Sequence, residues 1–179
     1  MIRRLLGRLN PFRRGEDGSA SIEFIVLLPG FILLFLSSFE LGMLMTRHVM
    51  LDRGLDIAVR DVRLGTLPDP SHDGLVDRIC EGVLVMKNCT TELKLEMRRV
   101  NPTTGAGTTM AAGADCVNRD DPSAPPVGFV PGQGNWLMLL RACALFDPWF
   151  PTTGLGSSLP QQPGGGYALV ATSSYVIEP

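Results

Sequence analysis

Histidine is scarce in this sequence, and its cysteines lack the close spacing of a metal-binding motif. The 179 residues include two histidines and four cysteines, and no two cysteines form a C-x-x-C pair. A structural zinc site normally uses such closely spaced pairs. Sets of Ser/His/Asp, Cys/His or paired carboxylates are also missing at any motif spacing. The sequence therefore predicts no metal, no cofactor and no enzymatic activity.

The sequence also lacks the charge excess and the glycine motifs that would point to nucleic acids or nucleotides. Its 16 Lys and Arg residues oppose 18 Asp and Glu residues, which gives a net charge of −2. The stretches GQG and GGG do not follow a strand into a helix, as a phosphate-binding loop would. Nothing in the composition therefore suggests a nucleic-acid partner.

A long apolar segment is present instead, and charge is distributed unevenly around it. Residues 1–18 carry five arginines against Glu16 and Asp17, whereas the rest of the chain has a net charge of −5. As a helix, Phe24–Met45 would be about 33 Å long, enough to span a hydrocarbon core of about 30 Å. Because basic residues stay on the cytoplasmic side, we predict a single-pass protein with a cytoplasmic leader at 1–18.

A cleaved secretory signal is the alternative interpretation of this segment. The apolar core of such a signal is usually about 7–15 residues long and ends in a small-x-small cleavage site. Here the apolar run is longer, and the stretch SFELGMLMTR offers no convincing site. A spanning anchor is therefore the favoured interpretation.

The helical pattern continues beyond the membrane segment. Mostly apolar residues recur at spacings of three and four, as on one face of a helix. They are Leu44, His48, Leu51, Leu55, Ala58 and Val62. Gly65 and Pro68 would end this helix. We therefore predict a transmembrane and extended helix over 19–64, followed by an exported head domain over 65–179.

The first half of the head domain contains a second helix and a strand. Ser71 is a candidate N-cap for a helix from Asp73 to about Val85. In TELKLEMRRV, Leu and Met alternate with charged residues, which predicts a strand with one buried face. Residues 101–134 are rich in Gly, Pro, Thr and Asp and are predicted to form a long loop.

Two further strands are predicted in the second half of the head. Trp136–Phe146 is apolar on both faces apart from Arg141, which is typical of a central strand, and Tyr167–Ile177 is the last strand. The order helix, helix, strand, strand, strand predicts an α+β fold. A mostly antiparallel sheet of three or four strands would pack against the long N-terminal helix.

All four cysteines follow the apolar segment, at Cys80, Cys89, Cys116 and Cys143. An even number on the exported side predicts two disulfides in an oxidising compartment, and four free buried thiols are the alternative. Three pairings are possible. We favour Cys80–Cys89, because their short separation would bring a helix end to the next strand. The remaining pair would then tie the long loop to a strand.

Two carboxylates accompany the apolar segment, although an unpaired carboxylate in lipid costs free energy. Glu23 lies at its start and Glu40 near its end. Glu23 stands five positions after Gly18, follows a short basic leader and precedes Phe24. This stretch, GSASIEF, resembles the G-x-x-x-x-E-[YF] processing site of the type IV prepilins that form Tad pili.

The resemblance extends over about 15–65 and is to the TadE-like minor pilin (pseudopilin) family. Members of that family commonly show a Glu-Phe start, a proline early in the helix, a second Glu with a nearby Gly, and an Ala/Arg-rich end. The stretch SIEFIVLLPGFILLFLSSFELGMLMTRHVMLDRGLDIAVRDVRLG has these features, and the closing EP of the chain also resembles the end of such proteins.

The resemblance implies a processing and assembly mechanism. A membrane-embedded prepilin peptidase would cut between Gly18 and Ser19, and Glu23 would become the fifth residue of the mature chain. The Glu23 carboxylate would then offset the new α-amino group of an adjacent subunit. The implied processing site comprises Gly18, Ser19, Glu23 and Phe24, and Glu23 and Glu40 are the candidate assembly residues.

The resemblance also implies partners and a location. The partners would be the membrane, the prepilin peptidase, other Tad pilins and the pilus assembly machinery. The protein would reside in the bacterial inner membrane with a periplasmic head, or in the extracellular pilus, and act in assembly, adhesion or biofilm formation. The head is far larger than that of the major pilin, which implies a minor pilin. An uncleaved single-pass envelope protein with a structural or sensing ectodomain is the alternative.

Two further interpretations concern single side chains. Glu40 would either pair with a group outside the chain or reach water near the outer interface, and the second is favoured. Trp136, Trp149 and Phe150 would form either an adhesive patch or part of the core, and core packing is favoured.

Overall fold

One continuous helix begins the described part of the chain. The computed structural model describes residues 19–67, 70–108 and 113–178. Helix α1 runs over Ser19–Arg63 with Pro29 inside it, so it is about 68 Å long. The predicted continuity from the apolar segment into the head is therefore confirmed. The leader and Gly18 lie outside the described residues, as does Pro68, and Ser19 is described by its backbone alone.

The head contains three shorter helices. Helix α2 runs over His72–Gly82 and is capped as predicted, because the Ser71 hydroxyl accepts a hydrogen bond from the Gly74 N–H at 3.1 Å. It ends before the predicted Val85, since the backbone already leaves helical geometry at Val83. Single-turn helices α3, Cys89–Glu92, and α4, Gly154–Ser158, were not predicted. They are too short to show helical periodicity.

The described strands form a three-stranded antiparallel sheet in the order β1-β2-β3. The strands are β1 over Leu93–Val100, β2 over Leu137–Phe146 and β3 over Tyr167–Val176. The strand β2 is central, as its apolar character on both faces predicted. The fold is therefore α+β, with a long N-terminal helix and an antiparallel sheet, and the predicted fold class is confirmed.

The core lies between one face of the sheet and the two longer helices. Helix α1 contributes the stripe that the sequence pattern predicted, and α2 covers part of it. Buried residues of this core include Leu51, Leu55, Ala58 and Val62 of α1, Leu75 and Ile79 of α2, and Leu95, Met97, Leu140 and Ala142 of the sheet. The C-terminal half of α1 is thus an integral part of the head.

The opposite face of β1 is buried as well, which differs from the prediction of one buried face. The exposed fractions of Lys94 and Glu96 are 7% and 4%. Glu96 pairs with Arg141, its cross-strand neighbour, and Lys94 lies 3.1 Å from Asp115. Part of the long loop covers this face and satisfies its charges, as buried charges require. The alternating charged residues of this strand therefore form a buried polar face and not a solvent-exposed one.

Two disulfides hold the head, in the pairing that the spacing favoured. Cys80–Cys89 joins the end of α2 to the start of α3. Cys116–Cys143 ties the long loop to the central strand. A bridge that closes a loop of this length typically contributes about 2–4 kcal/mol. The second bridge thus fixes the loop over the charged face of the sheet.

Helices α1 and α2 approach most closely at two glycines. A Cβ atom on Gly54 would lie 2.9 Å from the carbonyl oxygen of Ile79, and one on Gly82 would lie 3.3 Å from the Gly54 Cα. A backbone atom cannot move away as the end of a flexible side chain can. The sequence therefore needs a glycine at position 54 for packing.

Gly54→Ala should destabilise the head although alanine is the better helix former. The overpacking cost of about 1–3 kcal/mol should exceed the propensity gain of about 1 kcal/mol. Thermal unfolding of the detergent-solubilised protein would measure the difference. Gly42→Ala is the matched control, because no atom lies within 4 Å of a Cβ built there. A Gly54 variant as stable as this control would contradict the packing argument.

Candidate functional site

The first half of α1 presents an apolar surface that the described chain leaves largely uncovered. It contains the one candidate membrane span among the described residues, within Ser21–Arg63, and none of its most apolar 18-residue window is buried. This composition supports a single-pass membrane protein. The exposed apolar side chains are Ile22, Phe24, Ile25, Val26, Leu27, Phe31, Ile32, Leu33, Leu34, Phe35, Phe39, Leu41 and Met45.

Two residues of the predicted processing site, Glu23 and Phe24, lie at the start of this surface. Glu23 is exposed, and 62% of Phe24 is exposed, both within the first turns of α1. Among residues 19–67, 70–108 and 113–178, no side chain forms an ion pair with Glu23. Its carboxylate is thus available at the helix end where a cut after Gly18 would create a new amino group.

Glu40 is fully buried, so the expectation that it reaches water is wrong. Its exposed fraction is 0%. The Glu40 Oε2 atom accepts hydrogen bonds from the backbone N–H groups of Trp149, at 2.9 Å, and Phe150, at 3.1 Å. A loop of the head therefore folds down onto α1 and supplies two hydrogen bonds to one oxygen of the buried carboxylate. The other oxygen, Oε1, is buried without a hydrogen-bond partner among the described residues.

Arg47 fixes the same loop from a position two helical turns further along α1. Its guanidinium donates to the Asp147 carbonyl at 3.0 Å and to the Tyr167 hydroxyl. It also stacks over the ring of Phe146, 5.1 Å from the centroid. Burial raises the pKa of Tyr167, and the hydrogen bond from Arg47 offsets part of this shift. The two charges on one face of α1 therefore hold the chain from the end of β2 onward.

The two aromatic residues of this loop contact α1, and one of them is also largely exposed. The rings of Trp149 and Phe150 both meet the Phe39 ring edge to face, at centroid distances of 6.4 Å and 5.9 Å. Trp149 is nevertheless 56% exposed, so the predicted core packing is wrong for this residue. Trp136 does pack on the core, at the other end of β2, with Arg99 4.1 Å above its ring.

A cavity of about 380 Å³ lies beside the loop and gathers several charged groups. Arg119 lines it and donates to Glu92 at 3.0 Å and to Asp147 at 2.7 Å. These hydrogen bonds, that to Asp147 first, raise the pKa of Arg119. Both carboxylates of the cavity are therefore held by one guanidinium and are poorly placed to act as general bases.

Metal-binding clusters are missing from the described ranges, where no group of three His, Cys, Asp or Glu residues could hold an ion. The two histidines have local partners. His48 lies 2.9 Å from Asp52, and the His72 ring nitrogen Nε2 accepts from the Leu95 N–H at 3.2 Å. His72 therefore joins α2 to β1.

The contact between Glu40, Arg47 and the loop that begins at Asp147 was not predicted from the sequence. The available signal was the spacing of seven residues between Glu40 and Arg47, which places both on one helix face. A carboxylate and a guanidinium at that spacing indicate a surface that a further element of the chain must cover. The sequence did not identify that element.

The comparisons with known proteins agree with the helix and leave the head unmatched. The model of the TadE-like protein family matches residues 18–60. The match confirms the family resemblance over this segment and supports a pilin-like protein associated with a Tad pilus. No curated protein and no solved structure matches the chain.

Glu40→Ala should release the loop from α1, because two buried N–H groups would lose their acceptor. The cost of about 1–3 kcal/mol would increase amide hydrogen exchange at Trp149 and Phe150 by roughly 10- to 100-fold. Hydrogen exchange followed by mass spectrometry or NMR would measure the change.

Two variants control this experiment. Glu40→Gln keeps a side-chain carbonyl acceptor and should show a smaller increase. Glu23→Ala removes a carboxylate from the exposed end of the same helix and should leave these two amides unchanged. Equal exchange in the wild type and in Glu40→Ala would show that the carboxylate does not hold the loop.

Proposed function

We propose that this chain, whose residues 18–60 match the TadE-like family, is a minor pilin (pseudopilin) of a Tad-type fimbrial assembly system. A prepilin peptidase removes residues 1–18, and the mature chain takes part in pilus assembly, with adhesion or biofilm formation as the outcome. The observation that carries the proposal is the position of the GSASIEF stretch at the start of a continuous 45-residue helix whose first half is apolar and largely exposed.

The exposed half of α1 can be covered in two ways. Lipid covers it when the protein is in the membrane, and the helices of other subunits cover it in a filament. Both environments have a low dielectric constant, in which an unpaired charge is costly. A helix that exchanges one apolar environment for the other therefore needs few charges, and each of those charges needs a partner.

Glu23 has the properties of such a paired charge. Cleavage between Gly18 and Ser19 makes it the fifth residue of the mature chain and creates a cationic α-amino group. The carboxylate of one subunit then binds the amino group of the next, and the pair offsets the cost of removing either charge from water. Because the pair forms in a single register, it also sets the offset between neighbouring helices.

The topology follows from the charges and cysteines. The basic leader stays in the cytoplasm, and the head is exported across the bacterial inner membrane. Two disulfides suit the oxidising periplasm or cell exterior. The partners are then the prepilin peptidase, other Tad pilins and the assembly machinery.

The head favours a minor role in the filament over the role of the bulk subunit. A domain with two disulfides and its own core is large compared with a subunit that is little more than a helix. The cavity beside the loop has both of its carboxylates paired with Arg119, and we propose a structural role and no enzymatic one. A place at the tip or at the base of the fimbria suits a component of low copy number.

The mature N-terminus tests this proposal. Mass spectrometry of the protein from cells with and without their prepilin peptidase should give a chain that starts at Ser19 only when the peptidase is present. An intact Met1 start in both strains would contradict processing and leave an uncleaved membrane-anchored envelope protein.

Two glycine variants make this measurement specific. Gly18→Val should block the cut, because the side chain obstructs a tight peptidase site. Gly15→Val places the same side chain elsewhere in the leader and should be processed normally.

Glu23→Ala should be inserted in the membrane but should fail to assemble, because the new α-amino group loses its partner. Electron microscopy and the amount of sheared fimbriae would measure assembly. Glu16→Ala is the matched control, since that carboxylate would be removed with the leader. Normal piliation in the Glu23 variant would contradict the role of Glu23.

A further inference from the structure

The head contacts α1 within the helix's apolar half. A Cβ atom on Gly154, at the start of α4, would lie 2.2 Å from the Ser37 Oγ and 3.7 Å from the Leu33 carbonyl oxygen. Glu40 binds the backbone of Trp149 and Phe150 one turn further along. The chain from the end of β2 through α4 therefore lies alongside a part of α1 that has the composition of a membrane span.

The rise of the helix places this contact at the depth of the lipid chains. Glu40 is the only charged residue between Glu23 and Arg47, so those two residues mark the ends of the apolar span. From Phe24 the rise is about 20 Å to Ser37 and about 24 Å to Glu40, against a hydrocarbon core of about 30 Å. The contact then lies about 6–10 Å inside the outer boundary. Tilt of the helix would place it deeper.

The part of the head that lies against α1 has the residue composition of a segment at a membrane interface. We call residues 148–159 the interfacial segment. No residue from Pro148 to Ile177 is charged, so the interfacial segment can enter lipid without burying a charge. Trp149 is 56% exposed beside Phe39, and tryptophan is enriched where the bilayer meets water. Asp147 and Arg47 mark the end of the segment that faces water.

We propose that the interfacial segment is inserted in the outer leaflet of the bilayer that α1 crosses, with Trp149 in contact with lipid. The proposal rests on the proposed function only in that α1 spans a membrane. It requires neither cleavage of the leader nor assembly into a filament.

Insertion explains why Glu40 is bound by the head instead of being exposed. At a depth of several ångströms the carboxylate has no water to accept from, and an unmet hydrogen bond in lipid is costly. Two N–H groups of the interfacial segment bind Oε2 within the same chain, whereas Oε1 is buried without a hydrogen-bond partner among the described residues. The segment thereby acts as a polar cap for α1 on one side and as a lipid-facing surface on the other.

Tryptophan fluorescence in proteoliposomes tests the proposal, because the chain has two tryptophans. The full chain with Trp136→Phe reports on Trp149, and the full chain with Trp149→Phe reports on Trp136. Trp136 lies at the opposite end of β2, about 30 Å away by strand rise. The probe is a set of phosphatidylcholine vesicles brominated at shallow or deep positions of the acyl chains, which quench tryptophan on contact.

The variant that retains Trp149 should lose about half of its emission in shallow-brominated vesicles and less in deep-brominated ones. The variant that retains Trp136 should lose less than about a tenth of its emission in either kind of vesicle. Since both leaflets carry bromine, the orientation of the inserted protein does not matter. The wild type serves as a folding control and should lose an intermediate share of its emission.

Equal quenching of the two tryptophans would overturn the proposal. A Trp149 emission that is shifted to the blue without bromine quenching, and that depends on the protein-to-lipid ratio, would also overturn it and assign this surface to a neighbouring subunit. Failure here is distinguishable from failure of the proposed function, because the mature N-terminus is measured independently of lipid contact.

Discussion

A carboxylate removed from water must be paired or hydrogen-bonded, and this constraint governs both ends of the apolar part of α1. Glu40 meets it in part within the chain, because two backbone N–H groups of the loop that follows β2 bind Oε2, while Oε1 has no hydrogen-bond partner among the described residues. Glu23 has no ion-pair partner in the described part of the chain. In the proposed function its partner is the amino terminus of another mature subunit. The same requirement thus holds the head onto the helix at one end and joins subunits at the other.

Helix α1 can both span a membrane and form part of the head's core because its two halves have different surfaces. The first half is largely apolar and exposed, as a membrane span is. The second half has one apolar stripe that forms the core with α2 and the sheet. Gly54 lets α2 approach the backbone of α1 closely, and Arg47 and Glu40 fix the loop at the junction. The head is therefore joined to the helix by core packing and by side-chain hydrogen bonds as well as by the chain itself.

The elements with strong periodicity were the predictable part of this molecule. The stripe on α1, the Ser71 cap and the apolar run of β2 each follow from local sequence and agree with the structure. The buried polar face of β1 was not predictable, because its burial depends on a loop that lies more than ten residues away in sequence. The environment of Glu40 was not predictable for the same reason, since its partners are 109 and 110 residues away. Local patterns carried the resemblance of the GSASIEF stretch but could not identify tertiary partners.

The most direct test of pilin identity is the N-terminal peptide of the chain in two cell fractions, the inner membrane and the sheared fimbriae. A minor pilin should have a Ser19 start in the membrane fraction and, if it enters the filament, the same start in the fimbriae at an abundance far below that of the major subunit. A Met1 start in the membrane together with absence from the fimbriae would contradict the pilin function and indicate a permanent membrane anchor.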